Sequence, residues 1–272
     1  MSHFTRRVAV VTGSSSGIGR AIALELGAAG YSLVLHARRN LQGLQSVARQ
    51  LQQMVPEDRD RVLCLTGDIA CSRTCRELVS AAFAWHSRVD VWVNNAGADV
   101  LTGQARRLCF EKRLARLLDV DVQGTVRLCR QVASMMVGQI PLASAEKGLS
   151  IAPAIINMSW DQANLGMEGE PGQLFCTTKA AVAAFTNALA LSFPAVRVNC
   201  VAPGWIKTEW GQSVANEYWS QRATNESLSG RWGTPQDVAS VIRWLVADTS
   251  QFINGQTVNV NGGRRFYPGP QI

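Results

Sequence analysis

The stretch that most constrains this chain is Val8–Leu26, VAVVTGSSSGIGRAIALEL. Its four opening apolar residues read as a short buried strand. A glycine-rich turn follows, and apolar residues then recur at helical spacing. Gly13, Gly17 and Gly19 fall where a side chain would obstruct a close backbone approach, or where the backbone needs unusual dihedrals. With Ser15, Ser16 and Ile18 they form a turn whose free N–H groups, at the start of a helix, are a seat for a pyrophosphate. An ordinary glycine-rich strand-to-helix turn has the same pattern, so the segments that follow must decide between the two.

Tyr31–Ala37 reads as a second strand, followed at once by Arg38 and Arg39. In a dinucleotide fold this strand end lies over the adenosine ribose, where an acid selects NAD and an arginine accommodates a 2′-phosphate. Ala37 stands where the acid is expected, so NADPH is preferred over NAD; a solvated arginine pair is the plain alternative. Leu41–Val55 is amphipathic and closes at Pro56. Arg61–Thr66 is the third strand, with Gly67, Asp68 and Ile69 after it; Asp68 can accept from an adenine amino group or cap the helix Thr74–His86. Val89–Val93 is a strand ending in Asn94-Asn95-Ala96-Gly97.

Leu114–Val137 reads as one long helix and residues 138–150 as a polar loop. Ile155–Met158 is a strand, Ser159–Gln173 a loop and Leu174–Leu191 an alanine-rich helix. Ala195–Val201 is a strand, Pro203–Ser229 a long segment holding Trp205, Trp210 and Trp219, Pro235–Val246 a helix, and Gln256–Val260 the last strand. There is no repeat and no internal boundary. The alternation predicts one α/β domain over 1–272, a three-layer Rossmann-type doubly wound parallel sheet.

At 272 residues the chain can bury one sizeable core. A net charge of +7 suits an anionic cofactor, an acidic carrier or nucleic acid, but lysines and arginines never run beyond a pair, so no nucleic-acid footprint is expected. Seven cysteines without a CxxC pair read as reduced thiols, and three histidines give no basis for a metal site. No apolar stretch reads as long enough for a membrane span, and the start lacks an apolar signal region; no membrane association and a cytoplasmic location are the expectation.

TGSSSGIG at 12–19, Asp68, NNAG at 94–97, Lys179, Pro203-Gly204 and INGQTVNVNGG at 253–263 together resemble the short-chain dehydrogenase/reductase family over nearly the whole chain. The resemblance implies an NADPH-dependent reductase of a carbonyl or imine, similar to 3-oxoacyl-carrier-protein reductases or pteridine reductases. Asn95, Ala96, Gly97, Lys179, Pro203, Gly204, Ile206 and Thr208 would then meet the nicotinamide half of the cofactor. It also implies a substrate lid within about 205–230 and a homotetramer or homodimer built from the long helices and the last helix–strand unit. The tail Arg264–Ile272 either crosses to a neighbouring subunit or is disordered. The lid tryptophans suit an aromatic or fused-ring ligand, or pack the lid itself.

The catalytic positions depart from the family pattern. A tyrosine is expected four residues before Lys179, and Phe175 stands there; a phenyl ring has no ionisable proton. The three tyrosines, 31, 218 and 267, are all distant in sequence. The serine position is Trp160 counted from the strand, or Gln162 counted back from Phe175. The asparagine position is Asp121. Lys179, Ser159, Asp161 and Asp121 are the remaining catalytic candidates, with Asp161 the leading substitute acid if desolvation or a like charge raises its pKa. Three readings stay open: a reductase with a rewired proton donor, a nucleotide-binding sensor or partner subunit without turnover, and an enzyme in which Phe175 is a single introduced change. Simultaneous departures at Asp121 and Trp160 weigh against the third.

Overall fold

Seven strands run parallel in the order β3-β2-β1-β4-β5-β6-β7. They are β1 Val8–Thr12, β2 Ser32–Ala37, β3 Val62–Thr66, β4 Val91–Asn94, β5 Ala154–Met158, β6 Arg197–Pro203 and β7 Thr257–Val260. The computed structural model describes residues 7–139, 152–209, 211 and 217–265. Residues 140–151, which include most of the stretch expected as a polar loop, Trp210, and the residues beyond Arg265, with Phe266 and Tyr267, lie outside the described residues.

The interior strands are apolar on both faces because helices cover both. Ala9 and Val11 of β1 enter one cluster with Ile22, Leu44, Leu51, Val238 and Ile242. Val8 and Val10, on the alternate side, enter a second with Leu78, Phe83, Leu128, Val132 and Met136. The first layer is α1 Gly17–Ala28, α2 Leu41–Met54 and α8 Pro235–Val246; α3 Ser72–His86, α5 Thr125–Gly138 and α6 Gly169–Ser192 cover the other face. α4 Phe110–Leu117 precedes α5, and α7 Glu217–Glu226 lies between β6 and α8. α8 begins with a reciprocal cap: Thr234 Oγ1 accepts from the Asp237 N–H while the Asp237 carboxylate accepts from the Thr234 N–H.

Three sequence expectations are corrected. The stretch 114–137 is not one continuous α-helix: α4 ends at Leu117, one wide π-type turn spans Leu118–Gly124, and α5 follows. The turn holds Asp119, Val120, Asp121, Val122 and Gly124, weaker helix formers than the flanking residues, a local signal that the reading as one helix passed over. α6 starts at Gly169, five residues before the expected Leu174, with Pro171 tolerated in its first turn. The long segment 203–229, to which the sequence assigned no element, contains α7. Finally, at 24 residues α6 is apolar and long enough to cross a membrane. Its Leu174, Thr178, Val182, Thr186 and Leu189 are nevertheless buried in the fold.

The chain order reverses between β1 and β4, which neighbour each other in the sheet although β2 and β3 lie between them in sequence. Ligands of open parallel sheets bind outside the carboxyl ends of the strands at such a point.

Candidate active site

The loops after β1 and β4 are latched together at this reversal. Thr12 Oγ1 accepts from the N–H groups of Asn95 and Ala96, each at 3.0 Å. The Asn95 side-chain amide donates to the carbonyls of Thr12 at 3.0 Å and Gly13 at 3.1 Å. Gly13 and Gly17 have φ of +66° and +54°, a region glycine enters without strain. Gly19 is required for room: a Cβ there would sit 2.2 Å from Gly13 O and 2.4 Å from Asn95 Nδ2. Ser16 begins α1 without a side-chain cap, so the first-turn N–H groups have no capping acceptor and suit an anion. The turn thus fits the phosphates of a dinucleotide, with Ser15 beside the start of α2, where a Cβ on Gly43 would come within 2.9 Å of it.

Ser14 N–H donates to His36 O at 2.9 Å, binding this turn to β2, and Arg38 and Arg39 emerge exposed from the end of that strand. Asp68 Oδ1 accepts from Ala70 N–H at 3.0 Å, while Cys71 rather than Asp68 occupies the cap of α3. Ile69 is buried in the same cluster as Val120 and abuts Gly124 at the end of the π-type turn.

That turn carries Asp121 inward. The carboxylate, on a residue only 3% exposed, accepts from Ala98 N–H at 2.8 Å and forms an ion pair with Lys179 Nζ at 2.9 Å. Gly97 permits the approach, since a Cβ there would meet Asp121 Oδ2 at 3.2 Å. Lys179 also donates to Met158 O at 3.3 Å. Behind them runs a buried amide chain: Asn94 donates to Asn157 at 2.8 Å, and Asn157 to Thr186 Oγ1 at 3.0 Å, holding β4, β5 and α6 in register.

A cavity of about 1000 Å³ opens beside the pair. Ile18, Asn95, Ser159, Lys179, Pro203, Gly204, Ile206 and Thr208 line one part of it. Trp160, Phe175, Trp205, Trp219 and Trp232 line it with broad aromatic surface. Trp160 meets Phe175 edge to face at 6.3 Å between centroids, and Trp205 lies 5.6 Å from Trp219 and 5.9 Å from Trp232. Ser159 donates its hydroxyl proton to Lys179 O at 2.8 Å. Ala96, Gly97 and Asp121 sit behind the lining, connected to it through Asn95 and Lys179.

Asp161 does not enter this cavity, which corrects the expectation that made it the leading substitute acid. Its backbone N–H donates to Pro203 O, and its Oδ2 accepts from Asn261 Nδ2 at 3.1 Å. The carboxyl faces a separate pocket of about 10 Å³ with Gln162, Ser227 and Arg264. Burial does raise its pKa, as the sequence reading required, but away from the place where a proton is needed. Gln162, the other candidate for the serine position, is buried in that same pocket.

Sequence reasoning missed Trp232, Arg106, Arg107, Met167 and Pro171 as lining residues. Trp232 sits in GRWGTP, a glycine- and proline-marked loop, and that was the available signal. It also missed the direct pairing of Asp121 with Lys179, which no local pattern encodes. Among the described residues there is no group of three or more histidine, cysteine and carboxylate side chains placed to hold a metal.

Comparison with known proteins bears on this geometry. Residues 13–265 match the family model described as Enoyl-(Acyl carrier protein) reductase. The chain is 29% identical over 269 residues to 3beta-hydroxysteroid dehydrogenase 1 of Eggerthella lenta, covering 98% of this chain and 96% of that protein. It is 28% identical over 258 residues to the 3-oxoacyl-acyl-carrier-protein reductase FabG of Staphylococcus aureus strain Mu50, covering 94% and 96%. The crystal structure of a short-chain dehydrogenase/reductase (glucose/ribitol dehydrogenase) from Brucella melitensis superposes with a TM-score of 0.79 at 26% identity, covering 96% and 97%. With its parallel seven-stranded sheet and latched glycine turn, the chain belongs to the short-chain dehydrogenase/reductase family.

Proposed function

We propose that this protein is an NADPH-dependent oxidoreductase that reduces a carbonyl or imine carbon without the phenolic acid usual at its site. The observation that carries the reading is the uncapped start of α1, packed so closely against Gly13 O and the Asn95 amide that Gly19 admits no side chain. Gly13, Ser15, Ser16, Gly17, Ile18 and Gly19 would hold the pyrophosphate, Asp68 and Ile69 the adenine, and Arg38 with Arg39 the 2′-phosphate. Asn95, Ala96, Gly97, Pro203, Gly204, Ile206 and Thr208 would frame the nicotinamide half. When bound, that group supplies the hydride equivalent of the reaction. Lys179, held by Asp121, positions the ribose and keeps water out of the adjoining space. The aromatic lining fits a flat ring.

A second reading is favoured by one specific observation: Ser159 and Lys179, the polar side chains expected to act there, are already engaged with other groups. Ser159 is bonded to Lys179 O, Lys179 is paired with Asp121, and Phe175 has no polar atom. In that reading the protein binds nucleotide and ligand as a sensor or partner subunit with little or no turnover. Assembly into a homodimer or homotetramer belongs to the same proposal. It is supported by the half-exposed edge strand β7 and by exposed Phe252 and Trp244 beside it in sequence.

The test is nucleotide selectivity followed by turnover. NADPH should bind more tightly than NADH, and Arg38→Ala should erase roughly tenfold or more of that difference, the scale of a hydrogen bond to a charged group. Equal affinity of the two nucleotides for the unmodified protein would remove the role given to Arg38. Lys179→Ala should abolish any NADPH oxidation; turnover unaffected by that change would remove the role given to Lys179.

A further inference from the structure

Building on the reductase reading, we propose that the cavity selects a substrate already cationic at the reacting group, a flat ring bearing an iminium (C=N⁺), over a neutral ketone. Reducing a ketone leaves an alkoxide oxygen that must take a proton from somewhere. Reducing an iminium leaves no such debt: the carbon gains a C–H bond, the C=N π pair moves to nitrogen as its lone pair, and a neutral amine results. The hydride equivalent comes from the dihydronicotinamide, which is oxidised in the same step, so charge and electrons balance without any acid.

The cavity matches that chemistry in three respects. Among the described residues lining it there is no tyrosine, histidine, cysteine, aspartate or glutamate. Arginines do not release protons, and the Ser159 proton is committed to Lys179 O at 2.8 Å. Lys179 is tied to Asp121 at 2.9 Å, and giving up its proton would strand a buried carboxylate without its counter-charge. Next, that same carboxylate cancels the lysine charge beside the reacting end, where an unpaired ammonium would repel a cationic substrate. Finally, Trp160, Trp205, Trp219 and Trp232 present aromatic surface to the cavity, and aromatic faces attract cations. Arg106 and Arg107 also line it but are exposed, where salt screens them.

Two probes of one bicyclic shape test this: the permanently charged 2-methyl-3,4-dihydroisoquinolinium and neutral 1-tetralone. Binding to the whole purified protein is read by tryptophan fluorescence and calorimetry, without nucleotide. The cation should bind at least tenfold more tightly than the ketone. Asp121→Asn should weaken the cation roughly tenfold or more while shifting 1-tetralone less than twofold, with circular dichroism confirming a folded variant. With NADPH, the unmodified protein should reduce the cation and not 1-tetralone, and Phe175→Tyr should add ketone reduction. Equal binding, or equal or faster turnover, of 1-tetralone by the unmodified protein would overturn the substrate class and leave the reductase reading standing. Cation binding with bound NADPH and no reduction of either probe would overturn iminium reduction together with the reductase reading, in favour of the non-catalytic one.

Discussion

Lys179→Met is the perturbation whose size the structure sets most directly. The Lys179–Asp121 pair is 2.9 Å long, with side chains 16% and 2% exposed. At an effective dielectric of about 20 the gross attraction is about 6 kcal/mol, much of it offset by the desolvation of both ions. Removing one partner of such a pair strands the other, and that costs roughly 3–5 kcal/mol. A domain of this size loses about 2–4 °C of Tm per kcal/mol, so Lys179→Met should lower Tm by about 6–20 °C in differential scanning fluorimetry without nucleotide. Asp121→Asn keeps an acceptor for Ala98 N–H, so the double variant Lys179→Met with Asp121→Asn should recover most of the loss. A single-variant shift under about 2 °C, or a double variant as unstable as the sum of its parts, would refute the claim that the two charges depend on each other.

Gly19→Ala should reduce NADPH affinity by roughly a hundredfold or more, because its Cβ would displace Gly13 O or the Asn95 amide; near-normal binding would show that the turn does not hold phosphate. Burial holds His36 below its ordinary pKa, with Nε2 facing Gly67 O and Nδ1 buried without a partner. The unfolded chain therefore takes up a proton near pH 6.5 that the folded chain refuses, so stability should fall as pH drops below about 6.5. Asp161, raised by burial, acts in the opposite sense, and His36→Gln should flatten the net slope; an unchanged slope would remove His36 from the account. Light scattering should give a homodimer or homotetramer that Phe252→Asp weakens, and a strictly monomeric protein would end the assembly proposal.

The architecture was legible because its signals are local. The alternation of buried strands with amphipathic helices, the positive-φ glycines of the first turn and the capping pair of α8 each sit within a few residues of sequence. The residues proposed to meet the nucleotide rest on the same kind of local signal, the ends of strands. The reaction end was not. That Asp161 points away from the cavity and that Asp121 reaches Lys179 depend on a backbone bond to Pro203 and on a π-type turn within a stretch that reads as one helix. The partner of Lys179 comes from a different helix entirely. That position 175 carries a phenylalanine is plain in the sequence; that Ser159, Lys179 and Asp121 are joined by direct contacts required the structure.

Isothermal titration calorimetry of the purified protein with NADPH tests the central claim most directly. The account predicts one saturable site per chain, with NADH bound more weakly. No heat of association with either nucleotide would contradict it.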